Sequence, residues 1–507
     1  MFRSVSACVG LAFASVMLAA APETIAVDGG QIAGTSSDGV RAYKGIPFAA
    51  PPVGELRWKA PAPVVAWTGV KKADTFGPQC VQQPYPAGSP YATAPAPTGE
   101  DCLYLNVWSA AGAGDKRPVM VWIHGGAWTR GSGGTPTYDG AALAKKGVVV
   151  VTTNYRLGAF GFLAHPELTA ESAQHSSGNY AILDHVAALR WVQKNIAAFG
   201  GNPANVTIFG ESAGSWSVNV VQATPLANGL FHRAIGESGA QFARTTRLAD
   251  AEQNGVALAK AVGADSLKAL RAVPAEAILG VQAFRPGANV DGWVLPADVR
   301  TIFEQKKQND VPVLIGSNAN EWTTLSSPAQ FPKTLDDFHT RMAAQFPGLL
   351  AELDAVYPVR TAADIAGAML GLGRDQTFTL EMRTWARMVA AGGRKAFLYQ
   401  FTRVPPGPDP RLGAYHASEI VYAFNNVASR PWATDADRRL ADQMSSYWVN
   451  FATTGDPNGK GLPAWTPYDA STEPYLDLGD AVQIRNHLLK AQLDFLEQAQ
   501  QRRQGSR

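Results

Sequence analysis

A serine between two glycines stands where the chain passes from one predicted element to the next. Residues 206–209 are typical of a short strand, the pentapeptide Gly-Glu-Ser-Ala-Gly occupies 210–214, and residues 213–222 are compatible with a helix. In so sharp a turn, side chains two positions before and after the serine would collide, so glycines are needed there. The pattern predicts that Ser212 is a nucleophile for acyl transfer, with a simple helix cap as the alternative.

A serine hydroxyl near neutral pH needs a base to accept its proton and a carboxylate to orient that base. Of the eight histidines, His416 is distinctive because it follows the predicted strand at 396–400 across a proline-rich loop, late in the chain. Glu321 lies just beyond the predicted strand at 313–316. The order Ser212, Glu321, His416 is that of the α/β-hydrolase fold, so we predict this triad and this fold.

Acyl transfer also needs backbone donors for the negative charge of the tetrahedral intermediate. The small residues Gly125-Gly126-Ala127 follow the predicted strand at 119–123 and would let the main chain approach a substrate carbonyl. We predict that the N–H groups of Gly126, Ala127 and Ala213 form the oxyanion hole. A glycine-rich turn without a ligand is the alternative.

The elements that must position these residues alternate between strands and helices. Runs rich in β-branched and apolar residues predict strands buried on both faces, at 119–123, 148–153, 206–209, 313–316 and 396–400. Apolar residues at helical spacing predict a helix over 180–196. We therefore expect a mostly parallel central sheet with helices on both faces, forming one domain over 22–495, and a polar, frayed tail over 496–507.

Composition limits the partners. The 507 residues are 46% hydrophobic and 17% charged, and 44 Lys and Arg against 42 Asp and Glu leave a net charge of +2. The basic residues are scattered, which argues against a nucleic-acid partner. A small, neutral molecule is the expected partner, no metal or cofactor is predicted, and the oligomeric state is left open.

The N-terminus has the layout of a secretory signal. Arg3 precedes an apolar stretch over residues 7–21 that ends in small residues. The stretch is shorter than the ~20 residues of a membrane span, so we predict a signal peptide over 1–21 and a secreted or periplasmic protein without a stable membrane anchor. Cleavage after Ala21 or after Ala26 is compatible with the sequence.

Removal of that segment would take Cys8 with it and leave two cysteines, Cys80 and Cys102. In an oxidising compartment we expect this pair to bond, stabilising the fold by about 3 kcal/mol through loop closure. Two buried free thiols are the alternative. Residues 82–99, rich in Pro, Ala and Gly, are predicted to form a surface loop.

The sequence resembles the type B carboxylesterase family from about Ile25 to about Leu478. The resemblance is carried by the segments at 43–48, 100–107, 154–158, 200–212, 291–296 and 454–458. It implies that Ser212, Glu321 and His416 are nucleophile, acid and base, that Cys80 and Cys102 form the family's first disulfide, and that Glu211 and Ser238 contact the triad. The sequence departs from the family at Ala127, in place of a third glycine, and at His185, in place of a glutamine.

The leading hypothesis is a secreted serine carboxylesterase that acts through an acyl-enzyme. A dedicated esterase for a polyphenol, a toxin or a polyester would share the mechanism and differ only in the pocket. A non-catalytic binding protein is the alternative from another class. Trp128, Trp216 and Trp322 follow the oxyanion loop, the nucleophile and the acid, which favours an apolar acyl pocket.

Overall fold

The computed structural model describes residues 24–243, 245–407 and 409–505, so the predicted signal peptide over 1–21 lies outside it. The strands are β1 (Thr24–Val27), β2 (Gly30–Ala33), β3 (Thr35–Ser37), β4 (Val40–Pro47), β5 (Val70–Lys72), β6 (Gln79–Cys80), β7 (Thr98–Gly99), β8 (Tyr104–Ser109), β9 (Arg117–Ile123), β10 (Val149–Thr153), β11 (Gly201–Glu211), β12 (Arg233–Glu237), β13 (Thr246–Arg247), β14 (Asn289–Val290), β15 (Val313–Asn318), β16 (Ala396–Phe401), β17 (Pro474–Leu478) and β18 (Val482–Asn486).

The α-helices are α1 (Ala141–Lys145), α2 (Gly158–Phe162), α3 (Pro166–Glu171), α4 (Tyr180–Asn195), α5 (Ala213–Ala223), α6 (Leu248–Ala261), α7 (Leu267–Ala272), α8 (Ala275–Leu279), α9 (Val299–Glu304), α10 (Leu335–Gln345), α11 (Leu350–Val356), α12 (Ile365–Arg374), α13 (Leu380–Ala391), α14 (Ile420–Ala423), α15 (Asp435–Thr454) and α16 (Lys490–Gly505).

One large sheet organises the molecule. Within the described residues its strand order is β18-β17-β16-β15-β12-β11-β9-β10-β8-β4-β3. The pairs from β17 to β10 are parallel, and the antiparallel pairs lie at the two edges. The predicted strands all belong to the parallel part, which confirms a mostly parallel sheet. The carboxyl ends of β9, β11, β15 and β16 therefore meet at one edge, where ligands bind in such folds.

Both faces of the sheet are covered, which explains why its central strands are apolar throughout. Along β9, Val119, Val121 and Ile123 pack into one core cluster, whereas Met120 and Trp122 pack into a second cluster on the opposite face. The first cluster draws on α4, α5 and α13, and the second on α1, α14 and α15. Burial on both sides removes the alternation of polar and apolar residues that marks a strand with one wet face.

The structure differs from the prediction at the C-terminus. The tail over 496–507 is predicted to be polar and frayed, but α16 continues to Gly505. Leu493, Leu496 and Ala499 are buried in a third cluster with residues of α10, α11 and α12. Apolar residues are few in this segment, so the sequence pattern does not reveal the contacts that stabilise the helix.

The predicted loop between the cysteines is present. Cys80 and Cys102 form a disulfide, and the short parallel pairing of β6 with β7 also joins the two ends of the loop. Residues 82–97 between these ties contain no helix or strand. Among the helices of the described residues, none combines the length and the apolar character that crossing a bilayer requires.

Candidate functional site

The predicted serine lies on a strained turn. Between the end of β11 and the start of α5, Ser212 adopts φ 55° and ψ −122°, a backbone conformation that residues other than glycine rarely adopt. A Cβ atom at Gly210 would lie 2.7 Å from the carbonyl carbon of Gly214, and one at Gly214 would lie 2.0 Å from Ile123 O. Both glycines are therefore required by close backbone approach, and the serine is presented at the sheet edge.

The predicted acid and base contact each other. Glu321 follows β15 and His416 follows β16, and Glu321 Oε2 lies 2.5 Å from His416 Nδ1. The other carboxylate oxygen accepts hydrogen bonds from Ser238 Oγ at 2.6 Å and from the N–H of Asn318 at 2.7 Å. Glu321 is fully buried. Both carboxylate oxygens thus have hydrogen-bond partners, and these contacts fix the orientation of the carboxylate toward His416.

The opposite nitrogen of the base faces the elbow. His416 Nε2 lies 3.1 Å from Oε1 of Glu211, the residue before the predicted nucleophile, rather than in a hydrogen bond with Ser212 Oγ. In unliganded sites the hydrogen bonds of reacting groups are often long and tighten on substrate binding. Burial, together with the nearby Glu321 and Glu237, raises the pKa of Glu211 well above the ordinary range. These effects favour the neutral form of the Glu211 carboxyl.

Two further carboxyls lie buried near the predicted triad. Burial raises the pKa of Glu237 to about 8, although the indole N–H of Trp448 donates to one of its oxygens at 2.9 Å. Burial also raises the pKa of Glu419 well above its ordinary range, with the charges of the neighbouring glutamates adding to the shift. The raised pKa values favour the neutral forms of both carboxyls over added negative charge near His416.

The predicted oxyanion loop packs directly against the elbow. A Cβ atom at Gly125 would lie 3.0 Å from Ser212 Cβ and 2.5 Å from Glu211 Oε2. Gly126 and Ala127 have positive φ values of 106° and 55°, which turn their N–H groups in a direction that a regular strand does not. In the described part of the chain these two N–H groups donate to no protein acceptor. The N–H of Ala213, the first residue of α5, has no intrahelical acceptor.

The disulfide loop covers His416, the predicted base. Tyr91 Oη lies 2.5 Å from Thr324 Oγ1 and donates to His416 O at 3.1 Å. Its ring is edge-on to the imidazole, with centroids 6.4 Å apart. Phe378 also stacks on the imidazole, with ring centroids 4.9 Å apart. Phe378 belongs to a π-helical turn, Asp375–Thr379, between α12 and α13, a distortion common at functional sites.

Of the three tryptophans expected to line an apolar acyl pocket, two lie together and the third does not. Trp128 and Trp216 contact each other edge to face at 5.3 Å, next to the oxyanion loop and the elbow. The indole N–H of Trp128 donates to Ser217 Oγ at 2.8 Å. Trp322 instead packs behind Phe378, with centroids 6.1 Å apart. Trp128 and Trp216 thus form one aromatic pair, and Trp322 belongs to a separate contact with Phe378.

Two buried histidines stand behind the oxyanion loop. The Tyr155 ring stacks on His124 and packs on His185, with ring centroids 4.4 Å and 4.5 Å apart. The Tyr155 hydroxyl donates to His124 O at 2.8 Å, and His124 Nδ1 lies 2.9 Å from Gly125 O. Burial lowers the pKa of His124 to about 4, and burial with the charge of His124 lowers that of His185 to about 3. Neither imidazole is placed to act as a base.

The lowered pKa of His185 predicts instability in acid. The unfolded chain binds the proton near pH 6.5 and the folded chain only near pH 3, so stability falls as the pH decreases through that window. Between pH 7.5 and pH 5, the free energy of unfolding should therefore fall by about 2 kcal/mol less in His185→Gln than in wild type. Urea unfolding at both pH values measures this difference. His175→Gln, at an exposed position, is the control, and equal pH dependence in His185→Gln and wild type would rule the effect out.

The sequence predicts the three reacting groups but not the side chains that surround them. Tyr85, Tyr91 and Phe378 belong to none of the predicted motifs. Two tyrosines within a proline- and glycine-rich loop closed by cysteines were a usable signal, because aromatic side chains are rare in purely solvated loops. Phe378 gave no such signal, since a π-helical turn has no clear sequence pattern. Within the described residues, no group of three His, Cys, Asp or Glu side chains is arranged to hold a metal ion.

Comparisons with known proteins agree with this geometry. Residues 21–496 match the model of the carboxylesterase family. The chain is 37% identical over 467 residues to fumonisin B1 esterase of Sphingopyxis macrogoltabida, covering 88% of this chain and 84% of that protein. It is 34% identical over 489 residues to para-nitrobenzyl esterase of Bacillus subtilis strain 168, covering 90% and 95%. The solved carboxylesterase EST55 of Geobacillus stearothermophilus superimposes with a TM-score of 0.81 and 35% identity, over 93% of this chain and 99% of that one.

Proposed function

The chain belongs to the carboxylesterase family and is a carboxylic ester hydrolase, and we propose that it works through an acyl-enzyme on Ser212. The observation that carries the proposal is the 2.5 Å contact between Glu321 Oε2 and His416 Nδ1, beside the strained serine turn. His416 accepts the serine proton as Oγ attacks the ester carbonyl, and Glu321 stabilises the imidazolium. The same proton then passes to the leaving alcohol.

In the second half of the reaction, His416 takes a proton from water, which attacks the acyl carbonyl. Collapse of the second tetrahedral intermediate returns the proton to Ser212 Oγ and releases the carboxylic acid. In both halves the negative oxygen is stabilised by the N–H groups of Gly126, Ala127 and Ala213, two of which donate to no protein group in the described chain. Donors fixed in place before the reaction lower the barrier without reorganising.

The proposal extends to the compartment. A signal peptide over 1–21 would export the chain, and the disulfide between Cys80 and Cys102 is of the kind that persists in oxidising compartments. Expression with the full N-terminus, followed by N-terminal sequencing of the mature protein, tests the cleavage. An unprocessed protein that starts at Met1 would contradict export.

A second candidate is a dedicated toxin esterase. The observation that favours it is the 37% identity to fumonisin B1 esterase. Polyphenol and polyester substrates have no comparable support here. A panel of aryl and alkyl esters with graded acyl and alcohol sizes, assayed beside fumonisin B1, separates the two candidates. The non-catalytic alternative loses its support, because the relatives are esterases and every proposed reacting side chain is present.

The nucleophile can be tested by covalent labelling. A sulfonyl fluoride should modify Ser212 alone and abolish ester hydrolysis in proportion to labelling, because only an activated serine reacts quickly. Peptide mass mapping locates the modification. His416→Ala should label far more slowly, since the base that activates the hydroxyl is missing. Labelling of a different residue together with loss of activity would contradict the assignment.

The contact of Tyr91 with the base predicts a positioning effect. Tyr91→Phe removes the hydroxyl that bridges Thr324 Oγ1 and His416 O, so we expect kcat to fall about tenfold, as the loss of one or two buried hydrogen bonds allows. The apparent pKa of the kcat/KM profile should also shift. Thr324→Val removes the same bridge from its other end and should reproduce both changes. Wild-type kcat and an unchanged pH profile in Tyr91→Phe would exclude the role.

A further inference from the structure

A continuous row of side chains runs from the oxyanion loop to the base. The guanidinium carbon of Arg130 lies 5.3 Å from the centre of the Tyr85 ring. The Tyr85 and Tyr91 rings are 5.6 Å apart, and Tyr91 is 6.4 Å from the imidazole of His416. Tyr85 Oη also lies 3.1 Å from the position that a Cβ atom at Gly126 would occupy. The row therefore borders the space in front of the oxyanion loop.

Apart from the Tyr85 ring, the charge of Arg130 has no partner among the described residues. Within residues 24–243, 245–407 and 409–505, no carboxylate forms an ion pair with Arg130, and its Nε is buried without a hydrogen-bond acceptor. Other inward-facing arginines do have carboxylates: Arg57 pairs with Glu100, and Arg156 with Asp184. A buried guanidinium donor without an acceptor is unfavourable, and its planar fork fits a carboxylate.

The backbone fixes Arg130 in this position. Its N–H donates to Gly126 O at 3.1 Å. The side-chain amide of Gln82 donates to Gly131 O and accepts from the N–H of Gly131, both at 2.8 Å. These bonds dock the disulfide loop onto the oxyanion loop beside Arg130. These bonds thus hold the segment that carries Arg130, and no carboxylate of the described residues anchors its guanidinium.

The row identifies which part of an ester would meet Arg130. In the proposed mechanism His416 protonates the leaving alcohol, so the alcohol portion of the ester lies on the His416 side. Tyr91 and Tyr85 continue that side as far as Arg130. Burial raises the pKa of Tyr85 to about 12, so its hydroxyl remains a hydrogen-bond donor.

We infer that Arg130, with Tyr85, forms an anion subsite and that the enzyme prefers esters whose alcohol portion carries a carboxylate. This inference rests on the proposed function and goes beyond it by naming the substrate class. The subsite gives an acceptor to a guanidinium that lies over the Tyr85 ring and pairs with no carboxylate of the described residues. A cationic alcohol such as a quaternary ammonium would be repelled by the same charge.

The test compares two matched acetate esters, 4-acetoxybenzoate and methyl 4-acetoxybenzoate, which differ in the charge on the alcohol portion. The quantity measured is the ratio of kcat/KM for the anionic ester to that for the neutral ester. This ratio is independent of the fraction of folded, active protein in a preparation. We expect Arg130→Gln to lower it about tenfold, the scale of one charge-assisted hydrogen bond, and Arg130→Lys to lower it less.

Two controls sharpen the comparison. Arg190→Gln removes the same charge from an exposed position on α4 and should leave the ratio at the wild-type value. In wild type, raising the NaCl concentration should lower the ratio, because salt screens the attraction of a partly exposed charge. Equal ratios in wild type and Arg130→Gln would overturn the inference while leaving ester hydrolysis intact. If instead the proposed function were wrong, Ser212→Ala would still hydrolyse both esters, so the two failures can be distinguished.

Discussion

Ser212→Ala is expected to lower kcat for simple aryl esters by a factor of about 10⁴ or more, because the acyl-enzyme can no longer form. The fold should persist. The side chain is small, and alanine can occupy the same backbone conformation, φ 55° and ψ −122°, at similar strain. Substrate affinity should also change little, because the hydroxyl acts only in the chemical step. Steady-state kinetics and binding of a non-hydrolysed ester analogue measure the two effects.

Ser215→Ala is the matched control for this variant. Ser215 lies three positions further along the chain, in α5, is fully buried and donates to Gly239 O at 2.5 Å rather than to a member of the proposed triad. It should keep most of the activity. If purified Ser212→Ala retained more than a few per cent of wild-type turnover, another residue would have to be the nucleophile.

The second large effect is expected for Glu321→Gln, which should lower kcat by about 10³ to 10⁴ with little loss of stability. The reason lies in the two donors on the far side of the carboxylate, Ser238 Oγ and the N–H of Asn318. They require an oxygen, so the glutamine must turn its NH₂ group toward His416 Nδ1. The imidazole then carries its proton on Nε2 and cannot accept the serine proton.

Two further variants separate charge from structure. Glu321→Asp keeps the charge and shortens the side chain, so it should retain more activity than the glutamine variant. Glu419→Gln changes another buried carboxyl, whose raised pKa favours its neutral form, and it should lose far less activity. A fully active Glu321→Gln beside an inactive Glu419→Gln would move the third member of the triad to Glu419.

Much of this fold could be predicted because local and global signals agree. The β9 run is apolar on both faces, and the structure buries Val121 in one core and Trp122 in the other. Gly210 and Gly214 have a steric reason that can be stated from the pentapeptide alone, and the Cβ distances bear it out. Chain order and positions after strands were enough to select Glu321 and His416, which the structure brings into contact.

The parts that escaped prediction depend on contacts between distant segments. Residues 82–99 have the composition of a solvated loop, yet Tyr91 reaches His416, 325 positions away along the chain. The segment after Gln498 is polar, yet α16 continues through it because Leu496 and Ala499 pack against other helices. Neither packing is encoded in a local pattern. The role proposed for Arg130 likewise rests on three-dimensional contacts, because no acidic side chain of the described residues pairs with it.

The central claim is that the ester's acyl group is transferred to Ser212 before water releases it. Mixing the enzyme with excess 4-nitrophenyl pivalate, whose hindered acyl group slows deacylation, and quenching in acid within the first turnover should trap this intermediate. Peptide mass spectrometry should then show an added pivaloyl group on the peptide that contains Ser212, formed together with a burst of nitrophenol. Hydrolysis at the same rate with no burst and no acylated peptide, or acylation of a different residue, would contradict the account.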